Sequence, residues 1–422
     1  MDHSVGVVIM GGGRGTRLEP LTDRRSKPAV PIGGKYRLVD VPISNALHSG
    51  MGRMLLLTQY NSHSLHRHIV NTYKFDHFGK GFIQLLAAQQ TPSRDHWFQG
   101  TADAVRANIS YIDELGSDLV LILAGDHIYR MDYRAMVRTL LDTSADLAIA
   151  VQPVPEADVS GFGVLRADAD GRIVEFREKP KNAEQRKGFA LSEDWLASRG
   201  LPGNRPYLAS MGIYLFRKRV LMSALDNNLA DFGRDIIPSL VETHRVQSHF
   251  FTGYWRDIGT IESFFDAHMD LVSEHPPFRF DAVDWPIYTH PRFLPCARVS
   301  NSTFQRALLG DGSIVVNSTI EDSIVGIRTH VRGATIRRSL LMGAEPKPPQ
   351  AGPEAPAVGI GEGTHIEGAI IDLNARIGRN VRIANDAGIV EAEGEGWVIR
   401  DRIVVIPKDA VVHDGATIGG RS

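Results

Sequence analysis

Aliphatic side chains recur six positions apart in several separate runs between residues 314 and 418. These runs are Ile314 and Ile320; Val325 and Val331; Ile360 and Ile366; Ile371, Ile377 and Ile383; and Ile406, Val412 and Ile418. A six-residue apolar repeat with Gly, Asn or Asp at the turns is typical of a parallel β-helix, whose coils bury one aliphatic per side. The alternative is a β-sandwich that spaces its aliphatics by six by coincidence. Because several independent runs keep the same period, the pattern favours the β-helix.

The amino-terminal part of the chain follows a different pattern. From residue 1 to about 275, short runs rich in Val, Ile and Leu alternate with longer helical patterns, which predicts an α/β domain with a mostly parallel sheet. We predict buried strands at 5–10, 54–58, 119–124 and 147–151. Ligands of such sheets bind at the carboxyl ends of the strands, so the polar residues that follow these runs are candidates for a functional site.

Proline-rich stretches divide the chain further. Five prolines between residues 275 and 296 interrupt any regular element. We therefore predict an α/β domain at 1–275, a proline-rich linker at 276–300 and a β-helix domain at 301–422. The prolines of 345–357 predict an exposed loop inserted between coils of the β-helix.

The composition excludes several classes of partner. The 422 residues include 47 Lys and Arg against 49 Asp and Glu, so no excess positive charge is available to attract nucleic acid or an anionic membrane. No apolar run is long enough to span a bilayer. Cys296 is the only cysteine, which excludes an intrachain disulfide and a cysteine-based zinc site and favours a reducing compartment. We expect a cytoplasmic protein, and a strand that begins near Val5 leaves no room for a signal or transit peptide.

The segment GGGRGTR (11–17) directly follows the first predicted strand. Consecutive glycines allow backbone amides to approach a phosphate where a Cβ would collide. The segment is not a P-loop, because no Gly-Lys-Ser/Thr follows. Five cations lie within the same short stretch, as a triphosphate requires: Arg14, Arg17, Arg24, Arg25 and Lys27. The alternative interpretation is a solvated basic turn.

Asp126 ends the apolar run LVLILAG, which places a carboxylate at the carboxyl end of a predicted strand. Such a carboxylate is a suitable oxygen ligand for magnesium. The residue alone fits equally well as an aspartate that terminates a strand in a turn.

Three histidines, His63, His66 and His68, lie in the segment HSLHRH. We interpret them as a polar helix face rather than a zinc site, because no carboxylate or cysteine partner lies nearby in the sequence.

Beyond these patterns, the stretch GGGRGTRLEPLTDRRSKPAVPIGGKYRLVD resembles the opening signature of sugar nucleotidyltransferases. Its continuation VPISNALHSG is similar to the ADP-glucose pyrophosphorylases (glucose-1-phosphate adenylyltransferases). Further segments occur in that family's order, namely TQYNSHSL, LAAQQ, WFQGTADAV, LAGDHIYRMDY, SGFGV, EFREKP, ASMGIYLF, DFGRDIIP, YWRDIGT and IIDLNARIGRN. The resemblance implies a Rossmann-like mixed, mostly parallel sheet followed by a left-handed parallel β-helix. It also implies the reaction of ATP with glucose 1-phosphate to give ADP-glucose and pyrophosphate, with Mg²⁺ as cofactor.

The resemblance assigns roles to individual positions. Arg17 and Lys27 match cations that hold the triphosphate and the leaving pyrophosphate, and Asp126 and Asp257 match the magnesium ligands. The positions that match the glucose 1-phosphate site are Phe98, Gly163, Glu178, Lys179 and Ser210. The positions that match the nucleotide site are Gly11, Gly12, Gly13, Gln90 and Gly100. Other members carry tyrosine at the position of Phe98, and phenylalanine has no hydroxyl to donate, so any role of this side chain is limited to packing.

The family commonly forms tetramers under allosteric control, which implies a homotetramer here. Its activators are sugar phosphates or phosphoglycerate, and its inhibitors are AMP or phosphate. Arg24 and Lys408 match activator-binding positions, but Leu373 stands where a companion lysine is found in plant-type members. That departure leaves the activator open, and surface charge alone explains Arg24 and Lys408 nearly as well.

Three other functions remain open. A nucleotidyltransferase that uses UTP, dTTP or GTP would carry the same loop, carboxylates and sugar-phosphate lysine. A noncatalytic regulatory subunit would share the fold. A hexapeptide acyltransferase would use the β-helix, but no histidine on the predicted coils stands out as its base.

Overall fold

The computed structural model describes residues 4–89, 97–201 and 203–420, which form an amino-terminal α/β domain and a carboxyl-terminal domain of short parallel strands. The strands of the first domain are β1 (Val5–Met10), β2 (Pro31–Ile32), β3 (Tyr36–Arg37), β4 (Arg53–Thr58), β5 (Phe82–Ala87), β6 (Leu119–Ala124), β7 (His127–Tyr129), β8 (Leu147–Val154), β9 (Gly163–Ala167), β10 (Ile173–Glu178), β11 (Tyr207–Arg217), β12 (Val246–Phe250) and β13 (Trp255–Asp257). Its helices are α1 (Asp40–His48), α2 (His63–Thr72), α3 (Thr101–Arg106), α4 (Ile109–Glu114), α5 (Tyr133–Asp142), α6 (Ala183–Arg186), α7 (Glu193–Ala197), α8 (Lys218–Ala224), α9 (Ile237–Thr243) and α10 (Ile261–Val272).

Nine of these strands form one mixed sheet in the order β10-β9-β11-β6-β1-β4-β5, with β8 paired to β11 and β12 paired to β8. The predicted α/β class is confirmed, and each of the four predicted runs lies in a strand of this sheet. Strands β6, β1, β4 and β5 are parallel, whereas β11 runs antiparallel to β6, β8 and β9. The parallel group brings the carboxyl ends of β1, β4 and β6 to one edge, where their following loops meet.

The second domain is built almost entirely from short strands. They are β14 (Arg298–Ser300), β15 (Thr303–Leu309), β16 (Ile314–Val316), β17 (Thr319–Val325), β18 (His330–Arg332), β19 (Thr335–Arg337), β20 (Leu340–Leu341), β21 (Gly359–Ile360), β22 (His365–Glu367), β23 (Ala369–Ile371), β24 (Arg376–Ile377), β25 (Arg382–Ala384), β26 (Ala392–Gly394), β27 (Trp397–Arg400), β28 (Ile403–Ile406), β29 (Val411–Val412) and β30 (Thr417–Ile418).

Parallel pairing stacks the aliphatics of successive coils into three ladders. The ladders are Val315, Val331, Ile360, Ile377 and Val412; Ile320, Ile336, Ile366, Ile383 and Ile418; and Val325, Leu341, Ile371 and Ile406. Parallel ladders of this kind confirm the β-helix over the sandwich, whose sheets would be antiparallel. One position differs from the expected pattern: Val315 is buried in the core of the coils, and Ile314 is only half-buried.

Two excursions interrupt the coils. Residues 345–357 form no strand and lie between β20 and β21, where the prolines predict a loop. The second excursion is the antiparallel pair β26–β27, which extends the sheet through β28 and which the six-residue period does not predict.

The two domains share a continuous apolar core. Side chains that alternate with the inward-facing ladder residues point out of the β-helix and pack with the amino-terminal domain, namely Ile324, Leu340, Ile370 and Val405. Each is at most 1% exposed. The β-helix is therefore fixed against the α/β domain by apolar burial.

The predicted linker, 276–300, contains no helix, and its only strand is β14 at its carboxyl end. Its apolar side chains Phe278, Phe280 and Ile287 are nevertheless buried in the shared core. Trp285 Nε1 also donates a hydrogen bond to Asn45 Oδ1 at 2.9 Å. The segment 276–300 therefore packs into the shared core and is not a free linker.

The interpretation of the three histidines as a polar helix face is wrong for His68. This side chain is 6% exposed, and its Nε2 lies 2.6 Å from Asp40 Oδ1 at the start of α1. The Tyr73 hydroxyl and the Arg37 amide also donate to Asp40. Burial of His68 is favourable because Asp40, which is distant in the sequence, supplies a carboxylate partner.

Candidate active site

A cavity of about 530 Å³ opens at the carboxyl ends of β1, β4 and β6. Many of the site residues predicted from the sequence line it: Gly12, Gly13, Arg17, Lys27, Phe98, Gly100, Asp126, Glu178, Lys179 and Asp257. The structure therefore brings together residues from the glycine-rich segment, the end of β6, the end of β10 and the end of β13.

The glycines of 11–13 serve different structural purposes. The Gly11 amide donates to Leu57 O at 2.8 Å, and a Cβ on Gly11 would lie 3.1 Å from that oxygen, so a side chain here would crowd the packing between the ends of β1 and β4. A Cβ on Gly13 would meet no atom within 4 Å. Gly13 thus leaves open space in the cavity wall, where backbone can approach a bound anion.

Two carboxylates meet in the floor of the cavity. Asp126 lies between β6 and β7, and Asp257 ends β13, which pairs antiparallel with β7 so that Asp257 lies opposite His127. Ligand atoms of Asp126, His127 and Asp257 lie within 4.8 Å of one another. Two carboxylates at this separation offer the hard oxygen donors that Mg²⁺ prefers, so the donor set fits the implied cofactor.

Lys27 contacts both carboxylates. Its Nζ lies 2.5 Å from Asp126 Oδ2 and 3.7 Å from Asp257 Oδ1. Burial opposes the charged form of Lys27, but the charges of Asp126 and Asp257 outweigh it and raise the pKa of Lys27 above its ordinary value. Burial alone would raise the pKa of Asp257, yet the hydrogen bond from His127 and the charge of Lys27 hold that pKa well below its usual range. Lys27 and Asp257 therefore stabilise each other's charged forms.

Arg17 lines the same cavity and is exposed. Its guanidinium Nη2 would lie 3.4 Å from a Cβ built on Gly259, which places it beside Asp257. It forms no hydrogen bond or ion pair with another described residue, so its donors remain available to a ligand at the cavity mouth.

His127 is a site residue that sequence reasoning missed. The Trp255 indole Nε1 donates to His127 Nδ1 at 3.3 Å, and His127 Nε2 lies 3.4 Å from Asp257 Oδ1. Because an indole N–H can only donate, Nδ1 must accept, and the ring proton resides on Nε2, which points to Asp257. One indication of this role was present in the sequence, because His127 directly follows Asp126, a candidate metal ligand.

The far end of the cavity carries Glu178 and Lys179 at the end of β10. Glu178 Oε1 lies 3.3 Å from Lys179 Nζ. Two glycines flank the same carboxylate: a Cβ would lie 2.7 Å from Glu178 Oε2 if built on Gly163 and 2.5 Å from it if built on Gly233. Gly163 therefore belongs to the site through Glu178 rather than by lining the cavity, and Gly233 is a second residue that sequence reasoning missed.

Lys179 has a left-handed backbone with φ of 45°, which is uncommon for a residue with a side chain. Its amide donates to Phe162 O at 3.0 Å. Such conformations are retained where the surrounding structure requires them, and here the turn directs the ammonium group into the cavity.

The remaining predicted residues differ in their placement. The Phe98 amide donates to Gln59 Oε1 at 2.8 Å, and a Cβ on Gly100 would collide with the carbonyl oxygen of Ala230. Ser210 is 7% exposed and accepts a hydrogen bond from the Gly212 amide at 3.3 Å, beneath the cavity wall rather than on it. Gln90 lies outside the described residues.

The two candidate effector residues lie near each other at the domain boundary. Arg24 Nη1 donates to Asp409 Oδ2 at 2.9 Å, and Lys408 Nζ donates to Glu345 Oε2 at 2.9 Å. The Asn374 amide nitrogen bridges the two pairs by donating to both Asp409 and Glu345. The two cations thus join a network between the domains, next to a second cavity.

This second cavity, of about 450 Å³, lies between the domains and is strongly basic. Its charged lining consists of Lys35, Arg37, Arg67, Arg292, Arg328 and Lys347, with Glu345 as the only carboxylate among the lining residues. Burial and the neighbouring charges of Arg25 and Arg292 lower the pKa of Arg37 to about 10. Sequence reasoning missed this cavity because its cations come from distant parts of both domains.

Among the described helices, none combines the length and the apolar character that a membrane span requires.

Two family models match the chain. The nucleotidyl transferase model matches residues 6–274, and the model of the GLGC left-handed parallel β-helix domain matches residues 292–417. The chain therefore belongs to the nucleotidyl transferase family and has the two-domain architecture of glucose-1-phosphate adenylyltransferase.

Proposed function

We propose that this chain transfers AMP from ATP to glucose 1-phosphate, which gives ADP-glucose and pyrophosphate. The observation that carries the proposal is the arrangement of the cavity. One end offers the open glycine segment with Arg17, the other offers Glu178 and Lys179, and the paired carboxylates of Asp126 and Asp257 lie in the same cavity. Two substrates that both carry phosphate repel each other. The cavity must therefore supply a cation for each substrate and positive charge where the reacting phosphates meet.

Each end has a distinct task in this proposal. Arg17 and Lys27 bind the triphosphate and neutralise the leaving pyrophosphate. Lys179 binds the phosphate of glucose 1-phosphate, and Glu178 accepts hydrogen bonds from the glucose hydroxyls. This binding aligns a phosphate oxygen of the sugar phosphate with the α-phosphorus of ATP, so that pyrophosphate leaves as the new bond forms.

Asp126 and Asp257 are the residues that would hold Mg²⁺. When bound, Mg²⁺ supplies positive charge to the reacting phosphates. His127 donates to Asp257 and so orients that carboxylate toward the cavity.

The choice of nucleotide is tested by incubating the purified protein with glucose 1-phosphate, Mg²⁺ and each nucleoside triphosphate in turn. The proposal predicts pyrophosphate release with ATP far above that with UTP, dTTP or GTP. Preference for another triphosphate would assign a different nucleotidyltransferase, and no release with any of them would assign a noncatalytic regulatory subunit.

We propose further that the enzyme acts in the cytoplasm as a homotetramer at the committed step of glycogen or starch synthesis, under allosteric control. The basic cavity between the domains supports the control, because six cations and one carboxylate are among its described lining residues, which favours an anionic ligand. The candidate ligands are a sugar phosphate or phosphoglycerate activator and AMP or inorganic phosphate as inhibitor.

Calorimetry with inorganic phosphate and with fructose 6-phosphate tests the control. We expect saturable binding to the wild-type protein and at least about tenfold weaker binding to Arg292→Gln, which removes one of the lining charges. Basal activity without effector should be retained in Arg292→Gln. Equal binding to both proteins would place the effector site elsewhere, and analytical ultracentrifugation tests the tetramer.

A further inference from the structure

The protein itself places a cation between the two carboxylates proposed to hold Mg²⁺. Lys27 Nζ lies 2.5 Å from Asp126 Oδ2 and 3.7 Å from Asp257 Oδ1. The Lys27 side chain is 12% exposed, and the carboxylate side chains are 24% and 23% exposed. Salt and bulk water screen such a contact less than a surface ion pair.

The stem of Lys27 is held while its ammonium group has room to move. A Cβ on Gly15 would lie 3.2 Å from Lys27 Cβ, so the glycine-rich segment packs directly against the start of the lysine side chain. The same side chain lines the cavity together with Gly13 and Arg17. A lysine has a flexible four-carbon stem, so its ammonium group can turn from the carboxylates toward a phosphate bound in the same cavity.

His127 engages the remaining side of the carboxylates. With its Nδ1 accepting from Trp255, its Nε2–H faces Asp257 Oδ1 at 3.4 Å and Asp126 Oδ1 at 3.6 Å. Asp126 thus contacts Lys27 through one oxygen and His127 through the other. A metal ion at Asp126 Oδ2 and Asp257 Oδ1 would lie beside the Lys27 ammonium group, and the repulsion between the two cations opposes its binding.

We propose that Lys27 competes with the divalent metal for Asp126 and Asp257, so that metal binds tightly only when a triphosphate draws the Lys27 ammonium group away. This inference rests on the metal-dependent nucleotidyl transfer proposed above. It assigns Lys27 two alternating partners, the carboxylates in the free enzyme and the phosphates in the complex, and it makes entry of metal depend on entry of nucleotide.

The test measures binding of Mn²⁺ alone to the full-length protein, with no nucleotide or sugar phosphate present, by electron paramagnetic resonance. We expect weak binding to the wild-type protein and a dissociation constant at least about tenfold lower in Lys27→Met, which keeps an unbranched side chain of nearly the same length without its charge. Lys27→Arg, the matched control that keeps the charge, should bind Mn²⁺ as weakly as the wild type. Asp126→Asn should bind no more tightly than the wild type.

Thermal unfolding gives a second readout. In EDTA, Lys27→Met should unfold at a lower temperature than the wild type, because two neighbouring carboxylates lose their cation, and Mn²⁺ should restore most of the difference. If Lys27→Met does not fold, Lys27→Gln takes its place in both measurements. A common dissociation constant for wild type and the neutral variants, or no binding to any of them, overturns the inference. A preference for UTP in the activity assay would overturn the choice of ATP, but it would leave the inference from Mn²⁺ binding by the Lys27 variants unchanged.

Discussion

Arg25 donates to Asp372 across the boundary between the two domains, with Nη2 and Oδ2 2.5 Å apart. The side chains are 3% and 0% exposed. Arg25 stands two positions before Lys27, and Asp372 lies in the β-helix directly after β23, so one buried ion pair links the β-helix to the segment that carries Lys27.

Removal of one partner of this pair should destabilise the protein strongly. Asp372→Asn leaves a buried guanidinium without its counter-charge, and we expect a loss of about 3 kcal/mol in the free energy of unfolding. Urea unfolding followed by circular dichroism measures the loss. The double variant Arg25→Met with Asp372→Leu removes both charges and should be closer to the wild type than Asp372→Asn. A single variant as stable as the wild type would show that the pair does not hold the domains together.

Gly233 should be required for binding of the sugar phosphate. Its substitution by alanine places a Cβ 2.5 Å from Glu178 Oε2, so the carboxylate must move away from the position in which we propose that it accepts hydrogen bonds from glucose. We expect the KM for glucose 1-phosphate to rise about tenfold, with little change in the KM for ATP. Steady-state kinetics checks this. Gly161→Ala is the matched control, because a Cβ there meets no atom within 4 Å; equal effects of both substitutions would exclude steric displacement of Glu178.

Substitution of Lys179 by glutamine should also act on the sugar phosphate. The variant retains a polar side chain and loses the charge that we assign to the phosphate of glucose 1-phosphate. The apparent KM for glucose 1-phosphate should therefore rise, with a smaller effect on ATP. Measurement of both KM values decides the point, and equal weakening of the two substrates would contradict the assigned role.

His268 predicts a loss of stability in mild acid. It is 0% exposed in α10, accepts from the Gly33 amide through Nε2 at 3.2 Å, and lies 2.7 Å from Phe264 O through Nδ1. Burial lowers the pKa of His268 to about 4, from an ordinary value of 6.5. Protonation therefore favours the unfolded chain. The contribution of His268 to the free energy of unfolding is complete above about pH 6.5. As the pH falls toward 4, that free energy decreases by about 3 kcal/mol.

Unfolding free energies measured between pH 7 and 4 check this prediction. His268→Asn, which keeps a donor for Phe264 O and cannot be protonated, should show a smaller pH dependence than the wild type. Burial also lowers the pKa of His249 to about 4. His249→Asn should therefore also reduce the pH dependence of the unfolding free energy, independently of His268→Asn. An unchanged slope in His268→Asn would show that this ring is not neutral in the folded protein.

The fold could be predicted from the sequence to the extent that local pattern determines it. Buried strands and coil positions carry the apolar period themselves, so the strands near residues 5, 54, 119 and 147 and the β-helix followed from the residues alone. Ile314 was misplaced by one position because Val315 is equally apolar, and only the pairing with Val331 decides which side chain faces inward.

The site was predictable only in part. Asp126 could be recognised because it closely follows a buried strand, whereas Asp257 required the family resemblance, since the pairing of β13 with β7 brings together segments far apart in the chain. His68 was misread because Asp40, its buried partner, lies on another helix. Gly233 was missed because its role is to leave space for Glu178, and a space has no signature in a sequence.

The most direct test compares pyrophosphate release from ATP and glucose 1-phosphate by the purified wild-type protein and by Asp126→Asn. We predict release by the wild type and a turnover at least about a thousandfold lower in the variant, which corresponds to about 4 kcal/mol of transition-state stabilisation. Circular dichroism should show that the variant remains folded. Nearly normal turnover by folded Asp126→Asn would contradict the claim that this carboxylate, with Asp257, holds the metal on which nucleotidyl transfer depends.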